Sequence, residues 1–138
     1  MDAFEKDLAQ IRYIRSLRSD SAKRKQQACE QKRQAAKQRI IQAEADLVHL
    51  EEEVITLQRE SLSALVNGSL VKVEALMNFN RDKLKNLKRV VDAKLELNQY
   101  IHRKHEADVQ FEASRELATQ AEKKLIGIDE VITNKPWI

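Results

Sequence analysis

At 138 residues and 16.0 kDa the chain has room for one domain. Ala, Glu, Lys, Leu and Arg supply 69 residues, half of the total, with two glycines, one proline and 4% aromatics; this is the composition of long helices or a coiled coil, and it excludes a sheet fold, a phosphate loop and a dinucleotide fingerprint. Twenty-five basic against 22 acidic residues leave a net charge of +3, too small an excess to indicate nucleic acid by itself.

Nothing in residues 3–66 stops a helix, because the first glycine is Gly68 and the sole proline is Pro136. Asn67-Gly68-Ser69 is the predicted turn: Asn and Gly tolerate the left-handed conformation that ends helices, and Ser69 is a capping residue. A second helix runs from about 70 to 133, weakened at Gly127, and 134–138 form a tail ending in Trp137-Ile138. The expected fold is all-α, a single coiled-coil hairpin of two long antiparallel helices.

In helix one, Ala36, Ile40, Ala43, Leu47, Leu50, Val54, Leu57, Ser61 and Ala64 alternate spacings of four and three, an a/d heptad stripe. In helix two the expected stripe is Leu70, Val73, Met77, Asn80, Leu84, Leu87, Val91, Asn98 and Ile101. A second run, Phe111 through Ala118, Leu125 and Ile132, is offset by one residue around 102–110. Folding at Gly68 pairs residues whose numbers sum to about 136. That register sets the polar stretch 22–33 against 102–110, and Phe4, Leu8 and Ile11 against Ile132, Ile128 and Leu125. It also sets residues 40–66, net −5, against 70–96, net +3.

Groups that carry chemistry are sparse. His102 and His105, three apart, have a spacing that suits two metal ligands, but solvated histidines explain them better. Cys29 reads as a small seam residue and excludes an internal disulfide, which suits a reducing compartment. No nucleophile–base pair or carboxylate pair is placed by a two-helix fold in a water-excluding cleft, so neither an enzyme nor a cofactor is expected. No apolar stretch approaches a membrane span, and no secretory leader is evident.

Residues 12–39 carry ten Lys or Arg against Asp20 and Glu30, a docking surface for an acidic partner or a solvated face. A nucleic-acid surface is a weaker reading, since stacking aromatics are missing. Around the turn, Leu62, Leu65, Val66, Val71, Leu76 and Phe79 join Val54, Leu57 and Met77 and exceed what one seam needs, as part of a hairpin cap or of a partner-binding patch.

Three segments resemble the central-stalk family of type III secretion systems, the YscO-type proteins and their flagellar counterpart FliJ. Leu8-Ala9-Gln10-Ile11-Arg12-Tyr13-Ile14-Arg15-Ser16-Leu17-Arg18 is similar to the family's opening, Leu62 to Val71 to its mid-chain turn, and Ala121 to Glu130 to its C-terminal charged block. Gly127, the Trp137-Ile138 tail and the missing acidic tail depart from the pattern.

The resemblance implies a stalk whose paired ends enter a hexameric secretion ATPase, promote its assembly and activity, and link it to an export gate, with secretion chaperones as further partners. Leu8, Ile11, Arg12, Arg15, Arg18, Lys23, Arg24, Lys123, Lys124, Asp129 and Glu130 would face the ATPase. Leu57, Leu62, Leu65, Leu70, Met77 and Phe79 would face the gate. The implied setting is the bacterial cytoplasm at the base of the apparatus, with a monomeric rod when free, no cofactor or metal, no nucleic acid and no membrane insertion. The alternative class is a structural or tethering coiled-coil adaptor with no link to secretion.

Overall fold

The computed structural model describes residues 2–67 and 73–134, and the described residues are helical apart from Asp2: α1 spans Ala3–Asn67 and α2 spans Val73–Asn134. The predicted turn residues Gly68 and Ser69, together with Leu70, Pro136 and Trp137, lie outside the described residues. Helix α1 starts where Asp2 Oδ1 accepts the Glu5 backbone N–H at 2.7 Å, a side-chain cap with a glutamate three residues on. Along both helices, pairs one turn apart bond to each other: Gln42 donates to Asp46 at 2.9 Å and Lys104 to Asp108 at 2.8 Å. The hydroxyls of Thr56 and Thr119 turn back to the carbonyls of Glu52 and Arg115, which makes them compatible with a helix interior.

The helices pack antiparallel in two compact units. Unit 1 holds residues 1–35 and 104–138; unit 2 holds Ala36–Arg103. In unit 1, partners descend along α2 as α1 ascends: Arg12 with Asp129, Lys23 with Glu122, Arg33 with Phe111. In unit 2 the order is Arg39 with Tyr100, Glu51 with Lys94, Glu53 with Arg89. The paired numbers sum to between 139, for Arg39 with Tyr100, and 145, for Lys23 with Glu122. The expected sum of about 136 is therefore too low, and α2 sits about one to two helical turns away from that register along α1. The ends of the described helices, Asn67 and Val73, sum to 140, which agrees with the observed pairing.

The buried face of α1 follows expectation from Ala36 to Val54, the last of these only 5% exposed. Beyond Val54 it moves by one residue, to Gln58 and Leu65, leaving Ser61 and Ala64 exposed. The α2 stripe is corrected more strongly. In unit 2 the half-buried positions are Phe79, Asn86, Val90, Ala93, Leu97 and Tyr100, not Leu84, Leu87 and Val91. The alternation continues through Lys104, Ala107 and Phe111, so the offset expected around 102–110 does not occur. The physical reason is that α2 carries apolar residues on two adjacent faces, and only one of them keeps the heptad spacing of the reliable C-terminal run.

The seam of unit 1 mixes aliphatic residues with small polar ones. Leu8, Ala118 and Ile128 are buried, as are Ser19 and Ser114. The Ser114 hydroxyl donates to the Phe111 carbonyl at 2.7 Å, whereas Ser19 Oγ, fully buried, has no hydrogen-bond partner among the described residues. Ile11, expected in the seam, is exposed. Among the described residues no helix is long and apolar enough to cross a membrane.

Candidate functional site

Unit 1 gathers every residue that the resemblance assigns to the ATPase, and four of the nine charged ones, Arg12, Arg15, Lys23 and Asp129, have side chains engaged within the unit. Arg12 Nε lies 2.6 Å from Asp129 Oδ1, and Arg15 Nη1 donates to the Lys124 carbonyl at 3.0 Å. Lys23 Nζ is 3.7 Å from Glu122 Oε1. All of these side chains keep contact with water, so each pair contributes no more than about 1 kcal/mol; their common direction fixes which turns face each other. Leu8 is buried in the seam, while Arg18, Arg24, Lys123, Lys124 and Glu130 are exposed.

A polar cluster interrupts the seam of unit 1. Arg33 occupies a core position, with its guanidinium 4.0 Å from the Phe111 ring centroid. Its Nη2 lies 3.1 Å from Glu30 Oε1 and 2.9 Å from Oε2. The contact to Oε2 is paired by charge, without an aligned hydrogen bond. Gln34 Nε2 donates to Glu30 Oε1 at 3.0 Å. That bond, with the Arg33 guanidinium behind it, holds the Glu30 carboxyl below its ordinary range. Across the seam, Lys104 Nζ donates to Asp108 and lowers its pKa in the same way, with Arg33 adding to the effect. An open groove runs beside this cluster along Asp20, Lys23, Arg24, Gln27, Glu30 and Phe111. Cys29, half-buried next to it, is a free thiol.

Unit 2 has a second polar device. Arg39 donates to the Tyr100 hydroxyl at 2.7 Å, and that hydroxyl donates to Glu96 at 2.7 Å. The guanidiniums of Arg39 and Arg103 lie 4.7 and 5.5 Å from the Tyr100 ring centroid. Beneath this chain of bonds, Ala43 and Ala93 leave a recess of about 120 Å³ against Leu47 and Leu50, too small for a substrate of ordinary size.

Of the residues that the resemblance assigns to an export gate, Leu57, Leu62 and Met77 are exposed and Leu65 and Phe79 half-buried, all within unit 2; Leu70 lies outside the described residues. The sequence reading missed Asp2, Glu30, Arg39, Tyr100 and Asp108. Asp2-x-x-Glu5 is a legible capping signal, as are the pairs one turn apart that Glu30 makes with Arg33 and Gln34 and Asp108 with Lys104, whereas Arg39 and Tyr100 meet only once the register is known. Among the described residues no group of three or more His, Cys, Asp or Glu is placed to hold a metal ion.

Comparison with known proteins adds no relative: no family model matches the chain, and no curated protein or solved structure matches it.

Proposed function

We propose that the chain is a central stalk of a type III secretion apparatus: unit 1 engages a hexameric secretion ATPase, unit 2 reaches toward the export gate, and secretion chaperones are further partners. The observation that carries this reading is the pairing of the N-terminal part of α1 with the C-terminal part of α2 in unit 1 through exposed ion pairs such as Arg12–Asp129. A lone asymmetric protein inside a six-membered ring cannot make six equivalent interfaces. Charged, hydrated contacts adapt to that mismatch better than a dry apolar fit. Binding one state of the ring more tightly than another would raise its turnover by differential affinity. The place of action is then the bacterial cytoplasm, at the base of the apparatus.

The test is the ATPase rate and hexamer content of the type III secretion ATPase of the same host, with and without this protein. Stimulation supports the stalk. Replacing the exposed Arg18→Glu and Arg24→Glu should then reduce it several-fold while helicity stays unchanged. A competent ATPase that neither responds nor co-elutes overturns the reading. The second reading, a tethering coiled-coil adaptor, is favoured by one observation, the exposed apolar flank of unit 2.

A further inference from the structure

The seam of unit 2 has two unlike flanks. On the flank of the Glu53–Arg89 pair, the surface positions beside the seam are polar from Arg39 to Glu53 on α1 and from Asp82 to Arg103 on α2, with Asp46 and Glu96 next in line and Leu57 the apolar residue beyond them. On the flank of the Glu51–Lys94 pair, Ile41, Val48, Ile55 and Leu62 recur every seven residues along α1, all about half exposed. Along α2 the same flank carries Met77, Leu84, Leu87, Val91 and Ile101, with Leu84 68% exposed. Spacings of three, four and seven on one side of both helices constitute a second heptad face that α1 and α2 do not bury against each other.

We propose that this flank of unit 2 docks a second copy of the chain, the copies related by a two-fold axis parallel to the helices, so that α1 of each lies on α2 of the other. Three observations select this occupant. The nine large apolar residues, each about half exposed, offer an area of the order that a stable complex buries, about 800 Å² per partner. The edges of the two stripes carry opposite net charge: Glu44, Glu51 and Glu52 against Lys37 and Arg59 on α1, and Arg81, Lys88 and Lys94 against Glu74 on α2. An axis along the helices sets acidic α1 on basic α2 and keeps all neighbouring helices antiparallel. A perpendicular axis in the plane of contact sets acid on acid and base on base. Finally, the Glu51–Lys94 pair sits within the apolar flank. The parallel axis places it opposite its own copy, so each ammonium gains a second carboxylate and the layer fixes the register.

This pairing replaces the monomeric free state that the stalk resemblance implies. The interface is built from residues of unit 2, whereas the ATPase-facing residues belong to unit 1. It covers Leu62 and Met77, two of the residues assigned to the export gate, so self-pairing and gate binding would compete.

The experiment is sedimentation velocity of the full chain at tens of micromolar, with disulfide mapping in a Cys29→Ser background. The expected mass is twice 16.0 kDa, reverting to the monomer with Leu84→Glu and Val91→Glu while helicity persists. A mixture of Glu52→Cys and Lys88→Cys chains should cross-link to each other, whereas Glu52→Cys alone should not. A monomer throughout the concentration range overturns the proposal, as does a dimer that survives the Leu84 and Val91 substitutions. A dimer in which Glu52→Cys cross-links to itself overturns the proposed arrangement. None of these outcomes bears on stimulation of the ATPase, so the two proposals fail separately.

Discussion

The guanidinium carbon of Arg33 lies over the Phe111 ring, 4.0 Å from its centroid, across the seam of unit 1. One contact thereby reconciles a charged residue with a core position: the ring covers the guanidinium face while its edge bonds Glu30. Arg33→Lys keeps the charge but loses the planar stack and the forked bond. The expected cost is about 1 kcal/mol, and Arg33→Lys combined with Phe111→Leu should cost less than the sum of the two single changes. Chemical denaturation of the four proteins in this cycle checks it; strict additivity would show that the stack contributes nothing.

The Glu30 carboxyl, held low first by Gln34 and then by Arg33, gives unit 1 an acid sensitivity of defined sign. Its folded pKa is below the unfolded value, so the stabilisation is present above about pH 4.5 and fades as pH falls through the folded value. Asp108, lowered by Lys104, behaves in the same way over a lower range. A carboxyl-detected NMR titration should place the Glu30 midpoint below that of an exposed glutamate, and Gln34→Ala should raise it. An unchanged midpoint in Gln34→Ala would remove the assigned cause.

Two leucines on α2 distinguish the observed register from the one that the apolar pattern suggests. Leu97 faces the seam, whereas Leu84 is 68% exposed. At submicromolar protein, chosen to disfavour self-association, Leu97→Ala should cost about 2 kcal/mol and Leu84→Ala less than about 0.5 kcal/mol. Urea midpoints of the two variants test this, and a reversed order would favour the seam through Leu84 and Val91.

Gly127 lies inside α2, and a methyl group at its Cα would meet nothing within 4 Å. Gly127→Ala should therefore stabilise the chain by about 1 kcal/mol, from helix propensity alone. Thermal melts are the check, with a rise of a few degrees expected; a loss of stability would mean that the position serves something other than the helix.

The sequence makes both helices legible, because α1 lacks Gly and Pro throughout and α2 has Gly127 as its sole interruption, and Ala36 to Val54 carries only one apolar stripe strong enough to follow. It misplaces the seam of α2 in unit 2 because Leu84, Leu87 and Val91 are larger and more apolar than Asn86, Val90 and Ala93, which are the residues that α1 covers. Hydrophobicity ranks those two faces in the wrong order; unbroken spacing back from Ile132 ranks them correctly. The cluster at Glu30, Arg33, Lys104 and Asp108 reads in one dimension as a polar gap. Its members become a site only when a register within a turn of the true one sets Arg33 on Phe111.

The second stripe of α2 also bears on why the helix keeps its rotation. Turning α2 by one residue would exchange Val90, Ala93 and Leu97 for Val91, Lys94 and Asn98 against Leu47 and Leu50. The aliphatic gain at some positions would be offset by driving an ammonium and a carboxamide into an apolar seam. Lys94 and Asn98 thus act as a steric and electrostatic ratchet, making one of two nearly equivalent orientations expensive without contributing to the packing of the other.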